Sequence, residues 1–380
     1  MSTVVESYEL WKLRMPVGRV IGDCGCQYDA MGVVAVALKS SDGHVGWGFT
    51  EMPWGGKFVR GAYWIQTLPV LGEITAEFEA GIWPALRGRS LSAIKEQRPK
   101  CITGGGYLEQ SVRLAIWDLL AVEANVPLSV YLGAKEAGGR IRAYGSGLEF
   151  NSTDEQAKEI HRSFVKRGFT AVKVKVGHPD IEHDLRRLLA VRGAIGKDVE
   201  LAIDANEAWT CDEAIRRIER FQKEGLNLSY IEDALSRNDI EGAARLNREI
   251  DIDLIGHDYI GDPQDLRPFL DRGAFSRIRV GAEVDQALAA AKLAAEYHVP
   301  LIFGNSLFEA SIHAAVAFAD RVDRIEFSDL QWNDVPAHPV SVRDGFEYAP
   351  TAPGHGLAPD PEKLARMSHP GTGDQPSIGK

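Results

Sequence analysis

The chain has 380 residues, of which 44% are hydrophobic and 26% charged, with a formal net charge of −11; this is ordinary for a soluble globular protein with a large core. The negative balance argues against nucleic acid or an anionic membrane surface as a partner, so any anionic substrate must be met by a local cationic site. No run approaches a membrane span and no basic-then-apolar leader opens the sequence. With only Cys24, Cys26, Cys101 and Cys211, too few and too scattered for a disulfide framework, a cytoplasmic location is expected.

In chain order, Cys24-Gly25-Cys26 matches neither a metal nor a redox spacing and reads as a loop. Val33 to Leu38 is continuously apolar, Lys39 to His44 carries Ser-Ser-Asp-Gly, and Val45 to Phe49 is apolar again with alternating glycine, which predicts a β-hairpin. Gly104-Gly105-Gly106 follows no strand and reads as a turn rather than a phosphate loop. Val112, Ala115, Ile116, Leu119 and Leu120 then keep helical spacing until Pro127. Residues 1–135 are accordingly expected to form an α+β unit.

From Ile141 the pattern alternates. Strands are predicted at 141–147, 171–176, 201–204, 228–232, 253–256, 276–280, 300–303 and 324–327, with helices at about 153–167, 181–195, 214–225 and 242–250. Eight strands alternating with helices, each strand apolar enough to be covered on both faces, is the pattern of a (β/α)8 barrel, assigned to residues 136–340. Residues 341–380, rich in proline and glycine, are expected to return to the N-terminal unit and end in a mobile tail.

The chemistry-bearing residues sit at the ends of these strands. Lys173 and Lys175 in Ala-Val-Lys-Val-Lys-Val share one strand face, and the alternate valines take the other. Both ammonium groups are then aimed into the barrel mouth, where mutual repulsion and partial burial are expected to lower a lysine pKa and make a general base. Asp204 closes Leu-Ala-Ile-Asp, Glu232 follows Tyr230-Ile231, and His257-Asp258 follows Leu-Ile-Gly. Carboxylates crowded at adjacent strand ends repel unless a cation holds them, and hard oxygen ligands favour Mg²⁺.

In this ordered set the sequence resembles the enolase superfamily, in the branch of mandelate racemase and the muconate-lactonizing enzymes. The resemblance rests on Lys173-Val174-Lys175, Asp204-Ala205-Asn206, Glu232-Asp233 and the Gly256 segment. It extends to Ala115-Ile116-Trp117-Asp118-Leu119-Leu120, Pro127-Leu128, Leu132-Gly133 and Pro353-Gly354-His355-Gly356-Leu357. It implies an α/β fold, a modified (β/α)8 TIM barrel under an α+β capping domain, and commonly a homo-oligomer. It further implies Asp204 and Glu232 as metal ligands, Lys175 as the base, and Lys173 as a neighbour that lowers its pKa and contacts a substrate carboxylate. Such sites pair a lysine or histidine base with Mg²⁺.

The chain departs from the family pattern at three strands. The third metal ligand there is usually a glutamate directly after a glycine, whereas here the position holds His257, followed by Asp258. Either His257 ligates, which suits another divalent ion better than Mg²⁺, or Asp258 does. The sixth strand offers Arg279, suited to anion binding rather than proton transfer, and the seventh offers Asn305 where the racemase branch has a histidine. Glu326 at the eighth strand is expected to face the barrel as a substrate contact, and Asn206 is placed with the substrate; the resemblance further implies that the segments Gly22 to Met31 and Glu51 to Lys57, on either side of the hairpin, close over the barrel mouth and choose the substrate, with Trp54 a candidate pocket wall. One clear base without an opposite partner favours dehydration of a hydroxy or sugar acid. The alternatives are a racemase, epimerase or cycloisomerase of a small carboxylate, and a non-catalytic carboxylate-binding barrel.

Overall fold

The computed structural model describes residues 3–53, 57–58, 68–97, 102, 104–281, 283–367 and 376–379. Three long strands, β1 (Val5–Gly22), β2 (Cys26–Ser40) and β3 (Val45–Pro53), and the short β4 (Lys57–Phe58) form an antiparallel sheet. The predicted hairpin is thus the second half of a longer meander. The alternating glycines of β3 have a packing reason: a Cβ on Gly48 would stand 1.8 Å from the Ser111 carbonyl oxygen, and one on Gly46 would stand 2.3 Å from that of Ala115. Without side chains there, the Tyr107–Glu123 helix lies directly on the sheet, and Leu108, Val112, Ala115 and Leu119 share a core with Leu10, Val34 and Val36.

The barrel follows as β5 (Arg140–Ser146), β6 (Ala171–Lys175), β7 (Glu200–Asp204), β8 (Leu228–Glu232), β9 (Asp253–Gly256), β10 (Arg277–Val280), β11 (Leu301–Phe303) and β12 (Val322–Phe327). Each pairs in parallel with the next and β12 closes on β5. The intervening helices start where the sequence caps them, Thr153 accepting from the Gln156 N–H and Thr210 from the Glu213 N–H. Val172, Val174, Ile203, Ile231 and Ile278 face these helices in one extended core. Inside the barrel, Tyr144, Ala171, Ala202, Tyr230, Ile255 and Ile302 form a separate small layer.

Two features of the C-terminal part differ from expectation. Residues 341–348 do not return to the cap. They form a hairpin, β13 (Ser341–Arg343) and β14 (Phe346–Tyr348), whose second strand pairs antiparallel with the start of β5. At the end, where a mobile tail was expected, β15 (Ser377–Gly379) adds an edge strand to β1 at Tyr8–Leu10. Between them, Leu357 and Leu364 enter an interface core with Leu13, Met15 and Phe49 of the cap and Leu148, Phe308 and Leu330 of the barrel loops. This core seats the cap over the C-terminal ends of the strands. Among the described residues no helix is long and apolar enough to cross a membrane.

Candidate active site

Strand register assembles the centre. Lys175 pairs with Asp204 across β6 and β7, and Asp204 with Glu232 across β7 and β8, so the three lie on one rung. Their side chains turn inward because the alternate residues are committed to the outer core. Lys175 Nζ stands 2.6 Å from Asp204 Oδ2 and 3.1 Å from Asn206 Oδ1, and the Asn206 amide donates in turn to the Tyr259 hydroxyl at 2.8 Å. Glu149, fully buried, accepts the backbone N–H of Lys175 at 3.0 Å and fixes the strand end from behind.

Lys173 is set deeper, 1% exposed. Its Nζ lies 3.2 Å from Asp204 Oδ2, 2.9 Å from Glu232 Oε2 and 3.2 Å from Glu326 Oε1. From the other side of the barrel, Arg279 on β10 places Nε 2.9 Å from Glu232 Oε1 and Nη2 2.7 Å from Glu326 Oε2. The Tyr144 hydroxyl donates to Glu326 at 3.2 Å. Above this network opens a cavity of about 310 Å³, at the small end of ligand sites. Lys175, Asn206, Asp258, Arg279, Asn305 and Glu326 all line it, and Lys173 does not. The Asn305 amide reaches Ser328 Oγ at 3.4 Å.

The electrostatics reverse one expectation. Burial and the neighbouring ammonium do pull the Lys175 amine down, but Asp204, Asp23 and Glu326 outweigh them, and the net shift is upward. Lys173 moves the same way, desolvation being overcome by Glu232 and Glu326. The sequence shows the two lysines adjacent; it does not show how many carboxylates face them. Burial also raises Glu232, and Asp204 and Glu326 add to that against Arg279 and Lys173. Asp204 and Glu326 move the other way, against burial, held down by the lysines and, for Glu326, by Arg279 as well.

His257 does not join the centre. It is 3% exposed, with Nε2 3.3 Å from the Leu235 carbonyl oxygen and 3.5 Å from Glu207 Oε1, and Nδ1 3.5 Å from Asp233 Oδ1. Burial lowers its pKa to about 4, and it lines a minor cavity with Leu235 and Phe275 rather than the mouth. The following residue, Asp258, lines the mouth and lies 3.5 Å from Arg279 Nη2. The chain turns over at the strand end, so neighbouring residues face opposite compartments. Trp54 lies outside the described residues.

A hard divalent cation fits Asp204 and Glu232 in donor type and in charge. Glu232 Oε2, although 2.9 Å from the Lys173 amine, makes no hydrogen bond of acceptable geometry and is an orphaned buried acceptor. No three His, Cys, Asp or Glu side chains among the described residues converge at metal-ligand spacing, so the third protein ligand is not preformed. Asp23, Tyr28 and Glu51, which lie in the two cap segments expected over the mouth although none was singled out there, and Tyr259, which the sequence did not point to, also line it. The first three come from the cap, and only the cap's seating brings them over strand ends more than a hundred residues away in the chain.

Comparison with known proteins agrees with this geometry. Residues 155–363 match the family model described as enolase C-terminal domain-like. The 3,6-anhydro-alpha-L-galactonate cycloisomerase of Streptomyces coelicolor is 27% identical over 369 residues, covering 95% of this chain and 98% of that protein. A crystal structure of a provisionally named mandelate racemase from Mesorhizobium loti superposes with a TM-score of 0.87 at 31% identity, covering 96% of this chain and 95% of that one. A racemase structure from Streptomyces coelicolor A3(2) with bound magnesium shares the fold, with a TM-score of 0.79 at 23% identity over 96% of this chain and 100% of that one. Further relatives include dehydratases and epimerases.

Proposed function

Because the chain belongs to the enolase superfamily, in its mandelate racemase and muconate-lactonizing branch, and is an enzyme of lyase or isomerase type, we propose that it abstracts the proton α to a substrate carboxylate with Lys175 and dehydrates a hydroxy or sugar acid. The observation that carries this reading is the rung Lys175–Asp204–Glu232, which puts an amine at the mouth beside two acids of metal-ligand type.

Asp204 and Glu232 would hold Mg²⁺, with Asp258, one of the acids that line the mouth, as the third ligand in this reading. Bound there, the ion would supply Lewis-acid stabilisation to the substrate carboxylate, and Asp204, engaged as its ligand, would no longer hold the Lys175 amine protonated. The Lys175 amine takes the α-proton, and its ammonium then gives a proton to the β-hydroxyl, which leaves as water as the carbon–carbon double bond forms. Asn206 steadies the amine throughout through its 3.1 Å hydrogen bond. Across the barrel stands Arg279, a guanidinium locked on Glu232 and Glu326 and effectively always protonated, which is a poor base. One base on one face suits elimination better than inversion of a stereocentre.

The test is proton NMR in D₂O with Mg²⁺ supplied and a panel of hydroxy acids. Loss of the β-hydroxyl with formation of an α-keto acid supports dehydration. Exchange or scrambling at the α-carbon without elimination transfers the assignment to an isomerase.

A further inference from the structure

The direction of the Lys175 amine is set by its own backbone, and that backbone extends past the ladder on one side. β5 pairs with β6 only as far as Ser146 opposite Lys173, two residues short of Lys175, and the chain beyond it passes through a positive φ of 49° at Leu148. Past the last rung the Lys175 N–H is taken by a side chain, Glu149 Oε1 accepting it at 3.0 Å. A carboxylate thus stands at the place of a ladder bond.

This acid is enclosed. Glu149 is 0% exposed, and so is His161 of the Asp154–Lys166 helix, whose Nε2 lies 3.4 Å from Glu149 Oε2. Glu149 Oε2 and both ring nitrogens of His161 make no hydrogen bond of acceptable geometry in the buried space they share. Arg187, from the Ile181–Ile195 helix, donates to the Glu149 carbonyl oxygen at 3.2 Å and to that of Phe150 at 2.7 Å, and so pins the backbone of the same segment. Burial works to raise the Glu149 carboxyl, but His161, Arg187 and the Lys175 N–H outweigh it and hold it below its ordinary range. A buried ion is costly, and an amide could cover a strand end for less. What the carboxylate adds is a stronger and shorter bond to the N–H.

The same segment receives the cap. The Gly22 N–H donates to the Leu148 carbonyl oxygen at 3.0 Å, and Gly22 pairs with Glu149 in an isolated bridge. In the turn that follows, Asp23 lines the mouth and Cys24 Sγ donates to the Ala205 carbonyl oxygen at 3.3 Å, between Asp204 and Asn206. Base and roof are therefore both referred to Glu149, the base through its side chain and the roof through its backbone.

We infer that Glu149, backed by His161, is the positioning residue of Lys175, fixing the amine at the mouth and relative to the cap turn after Gly22. This rests on the proposed function, in which Lys175 is the base. A displacement of about 1 Å in such a group can cost about a hundredfold in rate.

The experiment compares the full-length protein with Glu149→Ala, Glu149→Gln and His161→Phe, with Mg²⁺ supplied and the hydroxy acid that the D₂O panel shows to react. In Glu149→Ala, kcat for α-proton exchange is expected to fall about 10- to 100-fold with KM within about threefold of the parent. Glu149→Gln, whose amide oxygen can accept the same N–H, should recover most of that loss, and His161→Phe should fall between the two. A readout that needs no substrate is the Lys175 amide in protein labelled with ¹⁵N-lysine, assigned by its disappearance in Lys175→Arg. In Glu149→Ala this resonance should move upfield and its exchange with solvent should quicken about tenfold or more, the worth of a bond to a charged acceptor; in Glu149→Gln it should stay near the parent. An unchanged kcat in Glu149→Ala, a loss carried wholly by KM, no recovery in Glu149→Gln, or a Lys175 amide that does not respond overturns the inference. If Glu149→Ala does not fold, His161→Phe and Glu149→Gln judge it by the same two readouts. An amide that responds as expected in a protein that exchanges no α-proton supports the positioning and overturns the base assignment.

Discussion

At the residue scale, Lys173 and Lys175 are two positions apart on one strand face and have different surroundings. Lys175 lines the mouth, whereas Lys173 is enclosed by Asp204, Glu232 and Glu326. Lys175→Met is therefore expected to lower α-proton exchange by about 10²- to 10⁴-fold, the usual worth of a positioned base. Circular dichroism and Tm should stay close to those of the unmodified protein; exchange at the original rate would refute the assignment. Lys173→Met should act on stability, because it leaves buried acids facing one another, and a loss of about 3–5 kcal/mol is expected in urea unfolding of the metal-free protein. Added Mg²⁺ should raise the Tm of this variant more than that of the parent, since it replaces the missing cation between Asp204 and Glu232. The identities of these residues were legible in the sequence through their alternation with valine. The direction of their pKa shifts was not, because it depends on acids that arrive from β7, β8 and β12 and from the cap.

At the scale of elements, the joints between cap and barrel are carried by a few buried polar groups. Asp118 on the Tyr107–Glu123 helix accepts the Trp47 N–H at 2.7 Å and the His355 N–H at 2.6 Å, tying β3 and the Gly354–Gly356 turn to one carboxylate. The motifs around Asp118 and His355, separated by more than two hundred residues, are thus two halves of one contact. Asp118→Ala should cost about 2–4 kcal/mol in unfolding free energy, two charge-assisted hydrogen bonds being lost. His313 adds a second joint: its Nδ1 accepts the Ser129 N–H at 3.2 Å and its Nε2–H donates to the His355 carbonyl at 2.9 Å. The bond that Nδ1 accepts requires the neutral ring, and burial lowers its pKa to about 3. The unfolded chain then binds the extra proton first, so stability should fall as pH drops below the ordinary histidine value of about 6.5, by up to about 1.4 kcal/mol per pH unit. His313→Gln should remove that share of the slope in urea titrations between pH 6.5 and 4, and an unaltered slope would count against it.

At the scale of the molecule, the barrel supplies the reacting groups and the cap supplies the roof. Lys175, Asp204, Glu232, Arg279 and Glu326 belong to strand ends, whereas Asp23, Tyr28 and Glu51 belong to the cap. Chelation with EDTA is expected to abolish α-proton exchange reversibly while the barrel remains folded, and readdition of Mg²⁺ should restore it; exchange that survives chelation would remove the metal from the reaction.

The sequence by itself determined the order of strands and helices and the residues at the strand ends. Periodicity and capping are local properties, and β8 and β9 fall on the expected residues. Tertiary structure alone decided that His257 turns away while Asp258 lines the mouth, that β13 and β14 join the barrel sheet, and which side chains of the cap segments line the cavity. The physical reason is range: backbone preference and hydrophobic period act over a few residues, whereas the facing of a side chain at a strand end and the charge around it depend on segments that meet only once the barrel has closed.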